Sequence, residues 1–292
     1  MYVIVGATGH TGRVIAETLL TQGEQVRVIG RDAARLTPLM ALGAEACVGS
    51  ADDPNAMTTA FTGATAVYTM VPPNYAVSNL RAYQQAIGEA LATALERTKV
   101  PFVVNLSSLG AHVASGAGPI SGLHHVEQRL NRLTQSHVLH LRPSYFMENL
   151  LWNRDLIATQ RINGTPLRGN LAIPMIATQD IARYAVERLR RRDFSGIQTQ
   201  ELHGQRNLTM TEATAIIGKA IGQPALPYVQ FPYDAAEQAM LGLGMSPDVV
   251  TNFIEMYRAF NEGRVLPLES RSQANTTPTS FEAFAAAHMR YA

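Results

Sequence analysis

The 292-residue chain is predicted to fold as a doubly wound parallel α/β sheet with a second, smaller α/β C-terminal lobe. Three observations carry that expectation. A glycine turn joins a strand-like triplet to a helix-like run at the N-terminus, short apolar strands alternate with helical runs as far as Pro143, and the rhythm changes beyond residue 150. Repeated βα units require parallel strands, because the crossover between parallel neighbours is long enough for a helix.

The first unit is the most specific. Val3-Ile4-Val5 runs into Gly6-Ala7-Thr8-Gly9-His10-Thr11-Gly12 and then into the amphipathic stretch Val14 to Leu20. A buried strand, a glycine turn and a helix start, in that order, suit a dinucleotide. Its pyrophosphate needs backbone N–H groups and a helix N-terminus with no side chain in the way. The Gly-x-x-Gly-x-x-Gly spacing is one residue longer than the Gly-x-Gly-x-x-Gly fingerprint, so the strand-turn-helix setting carries the assignment.

Further along, Gln25 to Ile29 alternates as a second strand ending at Gly30-Arg31-Asp32, and Ala33 to Leu42 reads as a helix. Ala46-Cys47-Val48 is a short third strand, and Asp53-Pro54 has the cap and first-turn proline of a helix start. Ala66 to Val71 is the fourth strand, stopped by Pro72-Pro73, and a helix is expected from about Val77 to Thr98. Phe102 to Leu106 is the fifth strand. The Gly/Ala/Ser/Pro-rich stretch Gly110 to Gly122 is a candidate lid, followed by a helix over His124 to Thr134. Val138 to Leu141 is the sixth strand, closing at Arg142-Pro143.

Residues 1–150 are therefore the expected dinucleotide-binding domain, rejoined by about 178–197, with 151–177 and 198–292 as the smaller lobe. Thr178 to Arg192 reads as a helix returning to the first domain, with Arg190-Arg191-Arg192 at its C-terminal end, where cations suit the helix dipole. The polar stretch Glu269 to Ser280 is expected to be loosely ordered.

Composition narrows the class. A hydrophobic content of 46% supports a full core, and a formal net charge of +1 without long runs of one sign argues against a nucleic-acid surface. Cys47 is the only cysteine, which excludes an intrachain disulfide framework and a cysteine metal cage. With the first strand beginning beside Met1 and no apolar run near the length of a membrane span, a soluble cytoplasmic protein is expected.

Ligands of such sheets lie outside the carboxyl ends of the strands. The nominated cofactor residues are Gly6, Thr8, Gly9, His10, Thr11 and Gly12 of the turn, Asp52 after strand three, Val71 and Pro72 after strand four, Ser107 after strand five and Pro143 after strand six. Arg31, and Arg35 four residues on, can face one phosphate if a helix begins between them. That pattern favours NADP(H) over NAD(H), for which Asp32 would instead bind the ribose. Asp52 is read equally as an adenine contact or a helix cap.

These segments resemble the NmrA-like branch of the atypical short-chain dehydrogenase/reductases. The likeness is carried by Gly6 to Gly12, Arg31, Ser107-Ser108-Leu109-Gly110-Ala111, His125 to Leu130, Leu141 to Leu150, Ala177 to Ala182, and Val249-Val250 through Tyr257 to Arg264. It implies an NADP-binding Rossmann domain and a small C-terminal lobe, in a family that includes bacterial NADPH:quinone reductases and redox-sensing regulators without catalytic activity.

One departure bears on chemistry. Ordinary members of the wider superfamily protonate an alkoxide with a Tyr-x-x-x-Lys pair, but here only Lys99 and Lys219 exist and neither has a tyrosine four residues before it. A quinone tolerates the loss, because hydride addition gives a weakly basic phenolate-like anion. The leading expectation is an oxidoreductase passing hydride from NADP(H) to a small planar acceptor such as a quinone. The alternatives are a non-catalytic NADP(H) sensor that binds a protein partner, and a sugar-nucleotide epimerase-like enzyme, which would also need the missing pair. Ser108, His125 and Tyr145 are the catalytic candidates, with Tyr145 and Asn149 placed against the substrate; no metal is expected. Met240, Leu241, Leu243, Met245, Phe253 and Met256 form either an apolar wall or core.

Overall fold

A computed structural model describes residues 1–289. The first half alternates as expected: β1 (Tyr2–Val5), α1 (His10–Thr21), β2 (Val26–Gly30), α2 (Ala33–Ala41), β3 (Glu45–Val48), α3 (Pro54–Phe61), β4 (Ala66–Thr69), α4 (Leu80–Thr98), β5 (Phe102–Leu106), α5 (Pro119–Leu130) and β6 (His137–Pro143). The second half contains β7 (Tyr145–Phe146), a 3-10 helix (Met147–Asn153), α6 (Arg154–Gln160), β8 (Asn163–Thr165), β9 (Ile173–Ile176), α7 (Thr178–Arg191), β10 (Ile197–Leu202) and β11 (Asn207–Leu208). It ends with α8 (Met210–Ala220), β12 (Tyr228–Gln230), α9 (Tyr233–Gly242), α10 (Pro247–Asn261) and α11 (Phe281–His288).

The seven-stranded sheet has the order β10-β6-β5-β4-β1-β2-β3, and every pairing in it is parallel. Its strand order reverses at β1, which opens a crevice above the carboxyl ends. Both faces are covered, so β1 is buried throughout, and the strand period of two separates its side chains. Ile4 packs with Ile15, Leu19, Ile181 and Leu189 of α1 and α7. Val3 and Val5 pack on the other face with Phe61, Ile87 and Leu91 of α3 and α4.

Local sequence explains the helix starts. Asp53 accepts from Asn55 N at 2.8 Å and Ala56 N at 3.3 Å, with Pro54 behind it, and Thr209 and Glu212 make a reciprocal capping box on α8. The fourth helix starts at Leu80 rather than Val77, because Asn79 caps it and the Asp248 carboxylate accepts from Leu80 N at 2.7 Å. The fifth begins at Pro119, earlier than expected, with Gly118 N donating to Glu255 Oε2 at 2.9 Å. Two carboxylates of α10 thus satisfy helix starts in the large domain.

The returning helix is α7, whose Ile181, Ala185 and Leu189 join the core beneath α1. The large sheet then takes residues as far as Leu202, beyond the expected return at about 197, because β10 pairs with β6. The polar sequence Gln198-Thr199-Gln200 hides this strand, which lies at the sheet's edge with its first half exposed. The small lobe has its own core around Tyr145, Leu150, Met175, Ile217, Phe260 and Phe281.

Two expectations about loops are corrected. The stretch 110–122 is not a free lid: Ala111, Ala117 and Gly118 are buried, and a Cβ on Gly118 would lie 1.9 Å from the Asn252 carbonyl oxygen. The small lobe packs directly on it. The 269–280 tail is also tied down, through Glu201, which accepts from Glu269 N at 3.0 Å, and Asp180, which accepts from Thr279 N at 2.9 Å and Thr279 Oγ1 at 2.9 Å. Its polar residues find partners far away in sequence, which composition cannot reveal.

Candidate functional site: a nucleotide cleft at the switch point

The glycine turn is shaped by close backbone approach. Gly6 has φ +70°, Gly9 N donates to the Gly6 carbonyl at 2.9 Å, and a Cβ on Gly12 would sit 2.3 Å from that same oxygen. Only glycine fits at position 12 without displacing the turn. Gly9 is the N-cap of α1 and supplies no side-chain acceptor, so the first-turn N–H groups of α1 stay available. This edge lies beside a cleft of about 450 Å³ that reaches over β2 and β3 to the start of α4.

At the far side of the cleft, Asp32 caps α2 by accepting from Ala34 N at 2.9 Å. Its carboxylate is therefore committed to the helix. Arg31 and Arg35 flank it, line the cleft, are exposed, and make no ion pair among the described residues. A helix does begin between them, as the two-arginine arrangement requires.

The nominated residues divide as follows. Gly6, Thr8, Arg31, Arg35 and Pro72 line the cleft. Gly9 and Gly12 shape its turn, and His10 is exposed at the first position of α1. Thr11 points the other way: it is buried and its hydroxyl accepts from Tyr68 Oη at 2.8 Å, while burial raises the Tyr68 phenol. Asp52 is exposed and neither lines the cleft nor caps α3, since Asp53 is the cap and Ser50 and Ala51 face the cavity instead. Val71 is half-buried against the sheet's second face, leaving Pro72 at the rim.

Tyr83 and Ile87 of α4 also line the cleft and were not anticipated. Tyr83 Oη donates to the Pro72 carbonyl at 2.9 Å, and burial raises its phenol. Their signal was available only as helix periodicity, positions i and i+4 facing the sheet's carboxyl edge.

Over the other half, β5 and β6 bring Ser107 and Pro143 to neighbouring strand ends, with Ser107 N donating to Leu141 O at 2.8 Å and Leu109 N to Pro143 O at 2.9 Å. The Ser107 hydroxyl is buried and has no hydrogen-bond partner among the described residues. Ser108 Oγ instead donates to the Leu109 carbonyl at 3.0 Å.

The remaining candidates are placed differently from expectation. Tyr145 is buried because β7 pairs with β9 and turns its ring into the small-lobe core, edge-on to Phe260 at 6.4 Å. Burial drives its phenol well above the ordinary range, against a hydrogen bond with Asn149 that acts the other way. This tyrosine offers no open stacking face. Asn149 is exposed on the 3-10 helix. His125 is exposed on α5, its imidazole pushed below the usual value by partial desolvation and by Arg81 and His124, while His124 Nδ1 bonds the Ala111 carbonyl at 2.8 Å. Glu148 accepts from Thr178 N at 2.9 Å and Thr178 Oγ1 at 2.6 Å, capping α7 across the chain. Met240, Leu241 and Met245 are half-buried against the small cluster of Ala236, Val250 and Ile254, Phe253 and Met256 are also half-buried, and Leu243 is exposed.

A glycine cradle with an open helix start, at the reversal point of a doubly wound parallel sheet, defines a Rossmann-type nucleotide-binding protein. The profile of the NmrA-like family matches residues 2–285, and the chain belongs to that family. It is 27% identical over 257 residues to an NAD(P)H azoreductase of Xenophilus azovorans, covering 88% of this chain and 86% of that protein. Among solved structures it superposes on an Escherichia coli NADPH-dependent quinone oxidoreductase complexed with NADPH, with TM-score 0.82 and 20% identity over 99% of each chain. It also superposes on a Citrobacter sp. triphenylmethane reductase complexed with NADP(H), with TM-score 0.80 and 17% identity over 98% of this chain and 100% of the other. At such identities these structures speak for the fold.

Proposed function

We propose that this protein binds NADP(H) and passes hydride to a small planar acceptor such as a quinone. The observation that carries the cofactor choice is the division of labour after β2: Asp32 is occupied as a helix cap while Arg31 and Arg35 remain unpaired at the cleft. A 2′-phosphate suits two guanidinium groups, whereas a bare ribose needs the carboxylate. Gly6, Gly9 and Gly12 with the first turn of α1 hold the pyrophosphate. Thr8, Pro72 and Tyr83 wall the cleft around it.

A bound nicotinamide supplies a hydride. The chain's own contribution is position and charge: Ser107 Oγ donates to the carboxamide or to the oxygen that gains charge, and the packed 110–118 loop excludes water from beside it. A quinone that takes up hydride becomes a hydroquinone monoanion, and its remaining proton comes from water. No tyrosine or lysine of α5 is needed for that step. The azoreductase and the quinone and triphenylmethane reductases among the similar proteins support reduction of flat conjugated acceptors. A cytosolic location fits this use of NADPH and the single thiol, Cys47.

A second reading is favoured by one observation: Tyr145 is sealed in the small-lobe core and His125 faces solvent, so two titratable candidates stand apart from the cleft. In that reading the protein senses bound NADP(H) and signals to a protein partner. NADPH oxidation followed at its absorbance band, with a panel of quinones, separates the two. Turnover that disappears in Gly9→Asp supports the reductase. NADPH binding without turnover on any acceptor supports the sensor.

A further inference from the structure

Trp152, the only tryptophan of the chain, is 57% exposed, and it is the sole aromatic among the large apolar side chains that the described residues leave open to solvent. It nevertheless has a ring partner. Tyr75 meets it edge-on at 5.5 Å with an interplanar angle of 84°, and Phe253 braces Tyr75 from behind at 6.0 Å and 63°.

The three rings come from three different segments. Tyr75 lies three residues beyond Pro72 in the loop leaving β4, Trp152 lies three beyond Asn149 in the 3-10 helix that follows β6 and β7, and Phe253 belongs to α10. β4 and β6 flank β5 in the sheet, so the Tyr75 loop and the segment bearing Trp152 both follow strands that neighbour the one ending at Ser107, and Pro72 at the start of that loop lines the cleft. The Tyr75 loop is fastened to the small lobe: Ser246 N donates to the Tyr75 carbonyl at 2.8 Å, Ser246 Oγ to the Val77 carbonyl at 2.5 Å, and Leu80 N to Asp248 at 2.7 Å. The Tyr75 ring is thus held in place beside an indole that stays largely in water, although burying a ring of this size is strongly favourable.

We propose that Trp152, positioned by Tyr75 and Phe253, is the stacking platform for the acceptor and selects fused two-ring acceptors over single-ring ones. The inference rests on the reductase reading above. Tyr75 meets the indole perpendicularly rather than stacking on it, the indole stays 57% exposed, and offset stacking on its open surface grows with the area of the flat partner. A two-ring quinone covers both rings of the indole; a one-ring quinone covers one. Tyr145, expected from the sequence to stack, is unavailable because it lies in the core.

Two readouts test this. With NADP+ saturating and no reductant present, 2-methyl-1,4-naphthoquinone quenches the lone tryptophan emission saturably in the wild-type protein. In NADPH oxidation, Trp152→Ala raises KM for that naphthoquinone about 3- to 10-fold with kcat changed less than about twofold, the range that one stacked aromatic pair supports. KM for tetramethyl-1,4-benzoquinone rises less than half as much. Trp152→Phe recovers most of the loss, and calorimetric NADPH binding confirms that each variant folds. Equal KM changes for the two quinones, or a quench that only rises linearly, overturns the platform while turnover leaves the reductase reading intact. A saturable quench without any NADPH oxidation upholds the platform and removes the reductase reading.

Discussion

Over β1, β2 and β3 the cleft is floored by apolar strands and edged by backbone amides and two unpaired arginines. Beneath the half over β4, β5 and β6 the sheet is crossed by polar side chains. Thr69 Oγ1 donates to Asn105 Oδ1 at 3.0 Å, Asn105 Nδ2 meets His140 Nδ1 at 3.0 Å, and His140 Nε2 meets Asn131 Oδ1 at 2.9 Å. The amide donors and acceptors fix the neutral imidazole with its proton on Nε2. The first half offers backbone amides and charge, which many sequences can repeat. The second half takes its shape from contacts between distant segments, and those contacts bury Tyr145 against Phe260.

The sharpest way to break this contrast is to fill the backbone half. Gly9→Asp places a carboxylate against the pyrophosphate at the helix start, and its Cβ meets the Gly6 carbonyl oxygen at 3.3 Å, tight but tolerable. We expect NADPH affinity to fall by roughly 100-fold or more, with an unchanged far-ultraviolet circular dichroism spectrum, because like charge replaces open N–H groups. A variant that still binds NADPH within about threefold removes the glycine turn from the site.

The polar chain of the second half is tested by pH. Burial holds the His140 imidazole down to about 4 from 6.5. Between those values the unfolded chain takes up a proton that the folded protein excludes, so stability is full above pH 6.5 and falls as pH drops toward 4. At about 1.4 kcal/mol per unit this amounts to ~2 kcal/mol by pH 5. Urea unfolding at pH 7 and pH 5 measures it, and His140→Asn should flatten that part of the slope. An equal slope in the variant assigns the pH dependence to other groups.

Tyr145→Phe has the smallest expected effect. It removes the hydrogen bond to Asn149 and keeps the packing on Phe260, so about 1 kcal/mol of stability is lost and kcat on a quinone changes less than about threefold. A kcat loss above about 100-fold would return this tyrosine to the chemistry and erase the difference between the halves.

The same contrast explains how far the sequence could be read. Strand-turn-helix order, the Asp53-Pro54 cap and the apolar β1 are local signals, and they place the large sheet and the phosphate turn. The helix start between Arg31 and Arg35 was legible from the strand end and the Asp32 cap, and both arginines line the cleft. The placing of Asp52 outside the cleft lining and of the Thr11 hydroxyl in the core was not legible, because one turn decides which neighbour faces the cavity: Ser50 and Ala51 beside Asp52, and the core-facing side of α1 for Thr11. The tied 269–280 tail and the burial of Tyr145 depend on pairings between distant segments, such as β7 with β9 or Asp180 with Thr279, which leave no local trace.

The open helix start and the Arg31/Arg35 pair are proposed to form the NADP(H) site. Calorimetric titration of NADPH and NADH into the wild-type protein and into Arg31→Ala/Arg35→Ala tests it most directly. Two charge-assisted contacts predict that the wild-type protein prefers NADPH by about 10- to 100-fold and that the double variant loses this preference while its NADH affinity changes less than about threefold. Equal wild-type affinities for the two cofactors, or a preference that survives loss of both arginines, would contradict the account.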